Sequence, residues 1–121
     1  MNVFERVFEE YDGFFECYID EIMFDMHDLK LILEDCRKNT PERLTIVFKS
    51  CEHAVFNNIR TIKSDKEDVV SNYIEIDEMI VEYGEKIRVY IDTNHTASAD
   101  GHAIEIICND IEFEKIVTIK E

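Results

Sequence analysis

The feature that most constrains this chain is a change of hydrophobic period at Gly13. Upstream, Phe4, Val7, Phe8 and Tyr11 recur at i, i+3, i+4 and i+7, one stripe of a helix, while Glu5, Arg6, Glu9 and Glu10 fall on its other faces. Asn2 supplies a capping side chain and Glu5, three residues on, completes a capping box. Gly13 supplies the left-handed residue that commonly ends a helix. The spacing therefore predicts one amphipathic helix over about 2–12.

After Gly13 the period is two, the spacing of a half-buried strand. Phe15, Cys17 and Ile19 alternate with Glu16, Tyr18 and Asp20, and Leu29, Leu31 and Leu33 alternate with Lys30 and Glu34. A polar loop from Arg37 to Glu42 holds the only proline, Pro41, and a strand over Arg43–Glu52 follows, with Leu44, Ile46 and Phe48 on one face. In the second half, Ile74 and Ile76, then Ile87, Val89 and Ile91, then Ile104 and Ile106, then Ile111 and Phe113 repeat the pattern. The fold class expected is mainly β (α+β) in a single domain, 1–121, with a β-rich body over about 14–119. An antiparallel meander of roughly six to eight strands would form a sandwich or a partly open barrel, with the helix over one face or open end. YIDEIMFDMHDLKLIL (Tyr18–Leu33) and EIDEMIVEYGEKIRVYI (Glu75–Ile91) share Ile-Asp-Glu followed by an apolar run and a tight turn, so the chain reads as two similar halves.

Composition agrees with an ordered domain. With 45% hydrophobic residues and only three glycines and one proline in 121 residues, the chain can fill one core and lacks the make-up of a disordered segment. The N-terminus shows no basic region followed by an apolar run, and no stretch approaches the roughly 18 apolar residues of a membrane span. Cys17, Cys36, Cys51 and Cys108 are scattered, with no CxxC pair, so reduced thiols in a soluble, cytoplasmic protein are expected.

Catalytic and cofactor signals are thin. His27, His53, His95 and His102 could join Cys36 or Cys51 around zinc, but paired ligands at metal-site spacing are missing, and ordinary surface histidines are the better reading. Any of the four thiols could meet a histidine base, yet nothing selects one. The GxSxG, HExxH, P-loop and GxGxxG motifs are all absent. Carboxylate pairs such as Asp20 or Glu21 with Asp77 or Glu78 suit glycoside chemistry, but so many acids make such pairs by chance. The expectation is a non-enzyme with no cofactor and no metal.

Charge is more informative. The 28 acidic and 13 basic residues give a formal charge of −15. Residues 1–36 carry net −9, residues 37–66 net +4, and residues 67–121 net −10. A field of this sign repels polyanions, so direct nucleic-acid binding is disfavoured and a basic protein is the natural partner. Glu21, Glu75, Asp77, Glu78, Glu82 and Glu85 are the candidate acidic face.

The order YIDEIMFDMHDLKLIL, polar loop, RLTIVFKSCEHAVF, then EIDEMIVEYGEKIRVYI, polar loop, AIEIICNDIEFEKI resembles the small β-rich immunity proteins encoded beside bacterial polymorphic and contact-dependent toxins. The resemblance covers most of residues 15–117 and lies in the order and spacing of strands. It implies a neutraliser that binds its cognate toxin tightly, often by blocking a nuclease active site. Two alternatives have other consequences. A phage-type DNA mimic would bind several unrelated DNA-binding proteins, and a self-associating structural protein would pair edge strands in a homodimer.

Overall fold

The computed structural model describes residues 3–37, 40–56, 74–93 and 102–118, with side chains to residue 114 in the last segment. It is mainly β: one short N-terminal helix and one antiparallel sheet of eight strands. Helix α1 is Val3–Glu10, inside the predicted 2–12; the capping residue Asn2 lies outside the described residues. Phe4 and Val7 are buried on the predicted stripe, and Tyr11 follows them inward just past the helix end.

Gly13 is left-handed as expected, but Asp12 and Phe14 beside it also have positive φ, so the helix stops in a tight turn over Asp12–Phe14. The turn folds Phe14 back among Phe4, Phe8 and Tyr11, with ring centroids 5.9 to 6.3 Å from its own. Burying Phe4 and Phe14 in this cluster contributes roughly 1.5–3 kcal/mol for each ring, which offsets the cost of a bulky residue at positive φ. Glu16 is also left-handed, and this resets the alternation. The strand predicted from Phe15 therefore begins at Tyr18, and Phe15, expected to face inward with Cys17, is exposed.

The strands are β1 (Tyr18–Asp25), β2 (Asp28–Asp35), β3 (Glu42–Lys49), β4 (His53–Phe56), β5 (Ile74–Glu82), β6 (Ile87–Thr93), β7 (Ile104–Cys108) and β8 (Asp110–Thr118). The strand predicted over 43–52 ends early: Ser50 takes φ 50°, β3 stops at Lys49, and β4, which the sequence did not single out, starts a new ladder at His53. The order across the sheet is β4-β7-β6-β5-β1-β2-β3-β8, and the sheet is not closed into a barrel.

This order reads the same from either end if the fourth strand of each half is exchanged. Each half runs β1-β2-β3 or β5-β6-β7; β8 completes the first half and β4 completes the second. The halves meet where Tyr18 pairs with Glu75 and Ile19 with Ile74, and Ile76 donates its N–H to the Cys17 carbonyl at 2.9 Å. Both Ile-Asp-Glu triplets fall at β-bulges, between Ile19 and Glu21 and between Ile76 and Glu78. The repeat read from the sequence is thus a repeat of geometry, related by an approximate two-fold axis at Tyr18 and Glu75.

Inward residues of both halves, among them Leu31, Leu33, Ile46, Phe48, Ile76, Val89, Ile91 and Ile106, belong to one buried cluster, with α1 packed at its edge against β8. β3 is buried on both faces: Val47, expected to point to solvent, is covered because the Lys30–Glu114 ion pair (3.7 Å) reaches across it from β2 to β8.

Candidate functional site

The six candidate acids lie on β1, β5 and the β5–β6 turn. Glu21 and Glu78 occupy equivalent positions after the two bulges, one in each half. Glu75, Glu78 and Glu82 share the outer face of β5, because Ile74, Ile76 and Met79 point inward and the bulge carries the phase past Asp77. Glu85 continues the line into the turn. At about 3.3 Å per residue, Glu75 and Glu82 are roughly 23 Å apart, so the acids form a stripe along one strand with Glu21 across the axis. Glu75 is half-buried and the other five are exposed.

The stripe has an apolar interruption and a polar neighbour. Ile80 sits between Glu78 and Glu82 and pairs with Tyr90, while Glu82 pairs with Arg88 and Glu78 with Asp92. Two carboxylates directly opposite on one face repel each other. His102 relieves this in part: its Nδ1 lies 2.8 Å from Asp92 Oδ1, and its ring lies 4.7 Å from that of Tyr90.

Most described cations are occupied by acids of the same chain. Lys49 Nζ donates to Asp28 Oδ2 at 2.8 Å, Lys86 lies 3.2 Å from Glu52, Lys30 pairs with Glu114, and Arg43 pairs with Asp20. Hydrogen bonds from Lys49 and from the Ser50 N–H hold the Asp28 carboxyl below its ordinary range, and the bond to Asp28 raises Lys49 in turn. Arg37 is used internally. Its Nε and a terminal nitrogen each donate to Asp35, 1% exposed, at 3.0 Å, and that nitrogen also donates to the Tyr11 carbonyl. The Tyr11 hydroxyl donates to Glu42, so the segment after α1 is tied to both β2 and β3. Nothing local in the sequence marks this latch, because Tyr11 and Glu42 are 31 positions apart.

Burial pushes Cys17 and Cys108 up to about 12 and raises Cys36 and Cys51 as well, so none is poised as a thiolate. Among the described residues no group of three or more His, Cys, Asp or Glu could hold a metal ion, and no helix is long and apolar enough to cross a membrane.

A second surface was not read from the sequence. The β1–β2 hairpin closes through two residues, and Met26, with φ 58°, holds a turn position where glycine is usual. It is 91% exposed. Phe24, on the inward face opposite Leu29, is nonetheless 64% exposed and meets Phe56 of β4 edge-on, with ring centroids 6.2 Å apart. Phe56 is itself 37% exposed. The sequence carried one signal of this, the absence of Gly, Asn or Asp at the two turn positions, Met26 and His27.

Comparison with protein-family models and with curated proteins found no match.

Proposed function

We propose that this chain is an acidic binding protein that neutralises a basic protein toxin by forming a complex with it, acting in the cytoplasm as an immunity protein. The observation that carries the reading is the occupation of cations by internal ion pairs: Lys30, Arg37, Arg43, Lys49 and Lys86 are each engaged by a carboxylate of the same chain. What faces solvent is therefore the surplus of acid, including Glu21, Asp77, Glu78, Glu82 and Glu85. Such a surface speeds encounter with a basic partner and rejects polyanions. The fold supplies a rigid frame for it, which we take to be a two-layer sandwich, since inward residues of both halves join one cluster.

The test is a tagged pull-down from nuclease-treated lysate of the native host, eluted first with salt and then with denaturant. A single basic protein that resists the salt step and kills cells lacking this chain is the expected result. Capture of only abundant basic proteins that all leave with salt would refute the reading. Capture of several unrelated DNA-binding proteins would replace it with DNA mimicry.

A further inference from the structure

The corner between β3 and β4 lies against the corner between β7 and β8. Lys49 pairs with Asp110 on one side of it and His53 with Ile107 on the other, so Ser50, Cys51 and Glu52 oppose only Cys108 and Asn109. Two backbone bonds close the corner: Asn109 donates its N–H to the Lys49 carbonyl, and Glu52 donates its N–H to the Ile107 carbonyl, each at 2.9 Å. Cys51 and Cys108 therefore stand opposite each other between widely spaced ladder bonds, and left-handed Ser50 is the extra residue of a wide bulge.

Both side chains turn to the same interior, since Cys108 belongs to the buried cluster and Cys51 packs against it. The Cα atoms of a pair in this setting are about 4.5 Å apart, inside the roughly 4.4–6.8 Å that a disulfide spans. Cys51 is half-buried between exposed Ser50 and Glu52, so a small reagent meets it from solvent, and wholly buried Cys108 lies behind it. Cys17 and Cys36 are disposed differently. The Arg37 guanidinium lies 3.9 Å from Cys17 Sγ in the interior, whereas exposed Cys36 turns its Sγ to the Glu34 carboxylate at 3.4 Å.

We propose that Cys51 and Cys108 are a modification site, a dithiol that closes into a cross-strand disulfide in the folded chain when it meets a disulfide oxidant such as glutathione disulfide. The Cys51 S–H leaves its bond to the His53 carbonyl, 3.4 Å away, and gives its proton to solvent. Its sulfur attacks glutathione disulfide and expels one glutathione thiolate. Cys108 then loses its proton and attacks the Cys51 sulfur, which expels the second. Two electrons pass from the protein thiols to the oxidant, and the two thiolates take up the two protons released. The new bond ties β3 and β4 to β7 and β8 where the halves exchange their fourth strands. It goes beyond the proposed function and does not rest on it.

The test uses the full chain carrying Cys36→Ser, which removes the exposed thiol that would link one molecule to another. Burial raises both Cys51 and Cys108, so oxidation by glutathione disulfide is run at about pH 8.5 to speed their ionisation. Thiols alkylated by iodoacetamide in urea should fall from three to one. The intact mass should drop by about 2 Da, and tryptic peptide 50–60 should be joined to 89–115. The urea midpoint should rise by roughly 1–2 M. Adding C51S should abolish both the link and the rise; if that variant fails to fold, the peptide map of its parent decides alone.

A link that forms only in urea overturns the proposal, as does one that takes Cys17. Cys51 left as a mixed disulfide with glutathione would show that Cys108 is out of reach, and would overturn it as well. A linked chain with a lowered midpoint would do the same, because the corner would then be distorted by the bond.

Discussion

Raising the pH should unfold this chain through two thiols. Cys17 and Cys108 are wholly buried, and burial, the largest cause in both, pushes them up to about 12 from an ordinary 9.0. A thiol is charged when it has lost its proton. Between those values the unfolded chain has released protons that the folded chain still holds, so stability falls as pH rises. The slope is about 1.4 kcal/mol per pH unit for each thiol. At about pH 10.5 each therefore costs about 2 kcal/mol and the two together about 4 kcal/mol, a large part of a typical total stability of 5–15 kcal/mol.

The assay is urea unfolding followed by far-ultraviolet circular dichroism, since the chain has no tryptophan, at about pH 8 and about pH 10.5. Wild type is compared with C17A/C108A. The variant starts lower because it leaves small cavities, so the comparison is between pH slopes. With a urea slope of about 2 kcal/mol per molar, the wild-type midpoint should fall by roughly 2 M more than that of the variant. Tyr11 and Lys49, both raised, contribute alike to each protein and cancel. Equal midpoint shifts would refute the assignment of alkaline sensitivity to the thiols.

Two further outcomes follow from the turns. Gly13→Ala places a side chain at φ 67° with its Cβ 3.2 Å from Phe8 Cζ, and should lower the urea midpoint by the equivalent of about 1–2 kcal/mol; an unchanged midpoint would mean that the turn relaxes freely. Asp28, whose carboxyl is held low by Lys49 and the Ser50 N–H, contributes stability that is present above its ordinary 3.8 and is lost as pH falls through the lowered value. Asp28→Asn should accordingly melt below wild type near neutral pH, with the gap closing as the pH falls below the ordinary carboxylate value, and parallel melting curves from neutral to acid would contradict it.

The elements themselves were legible because period and face carry directly into geometry. Leu29, Leu31 and Leu33 are buried as their alternation requires, and the two Ile-Asp-Glu triplets that suggested a repeat sit at matched bulges. What stayed hidden depends on single dihedrals or on distant neighbours. Left-handed Glu16 and Ser50 shift one strand start and end another strand early, and neither residue type announces a positive φ. The burial of Val47 and the position of Phe24 depend on strands far away in sequence, so local alternation misplaced the first and had nothing to say of the second. The acidic residues were found readily by composition, but their arrangement as a stripe came only from the bulge in β5.

The exchange of fourth strands between the halves also governs how the molecule assembles. β3 meets its outer neighbour only in β8, near the far end of the chain, and β7 meets its own only in β4, made much earlier. Neither half can complete its ladder by local zipping, so an N-terminal half emerging first during synthesis leaves β3 with an open hydrogen-bonding edge until β8 arrives. Folding is then a late, concerted closure of long loops, slow for a chain of this size, and a lesion in the last strand is felt first in the middle of the chain.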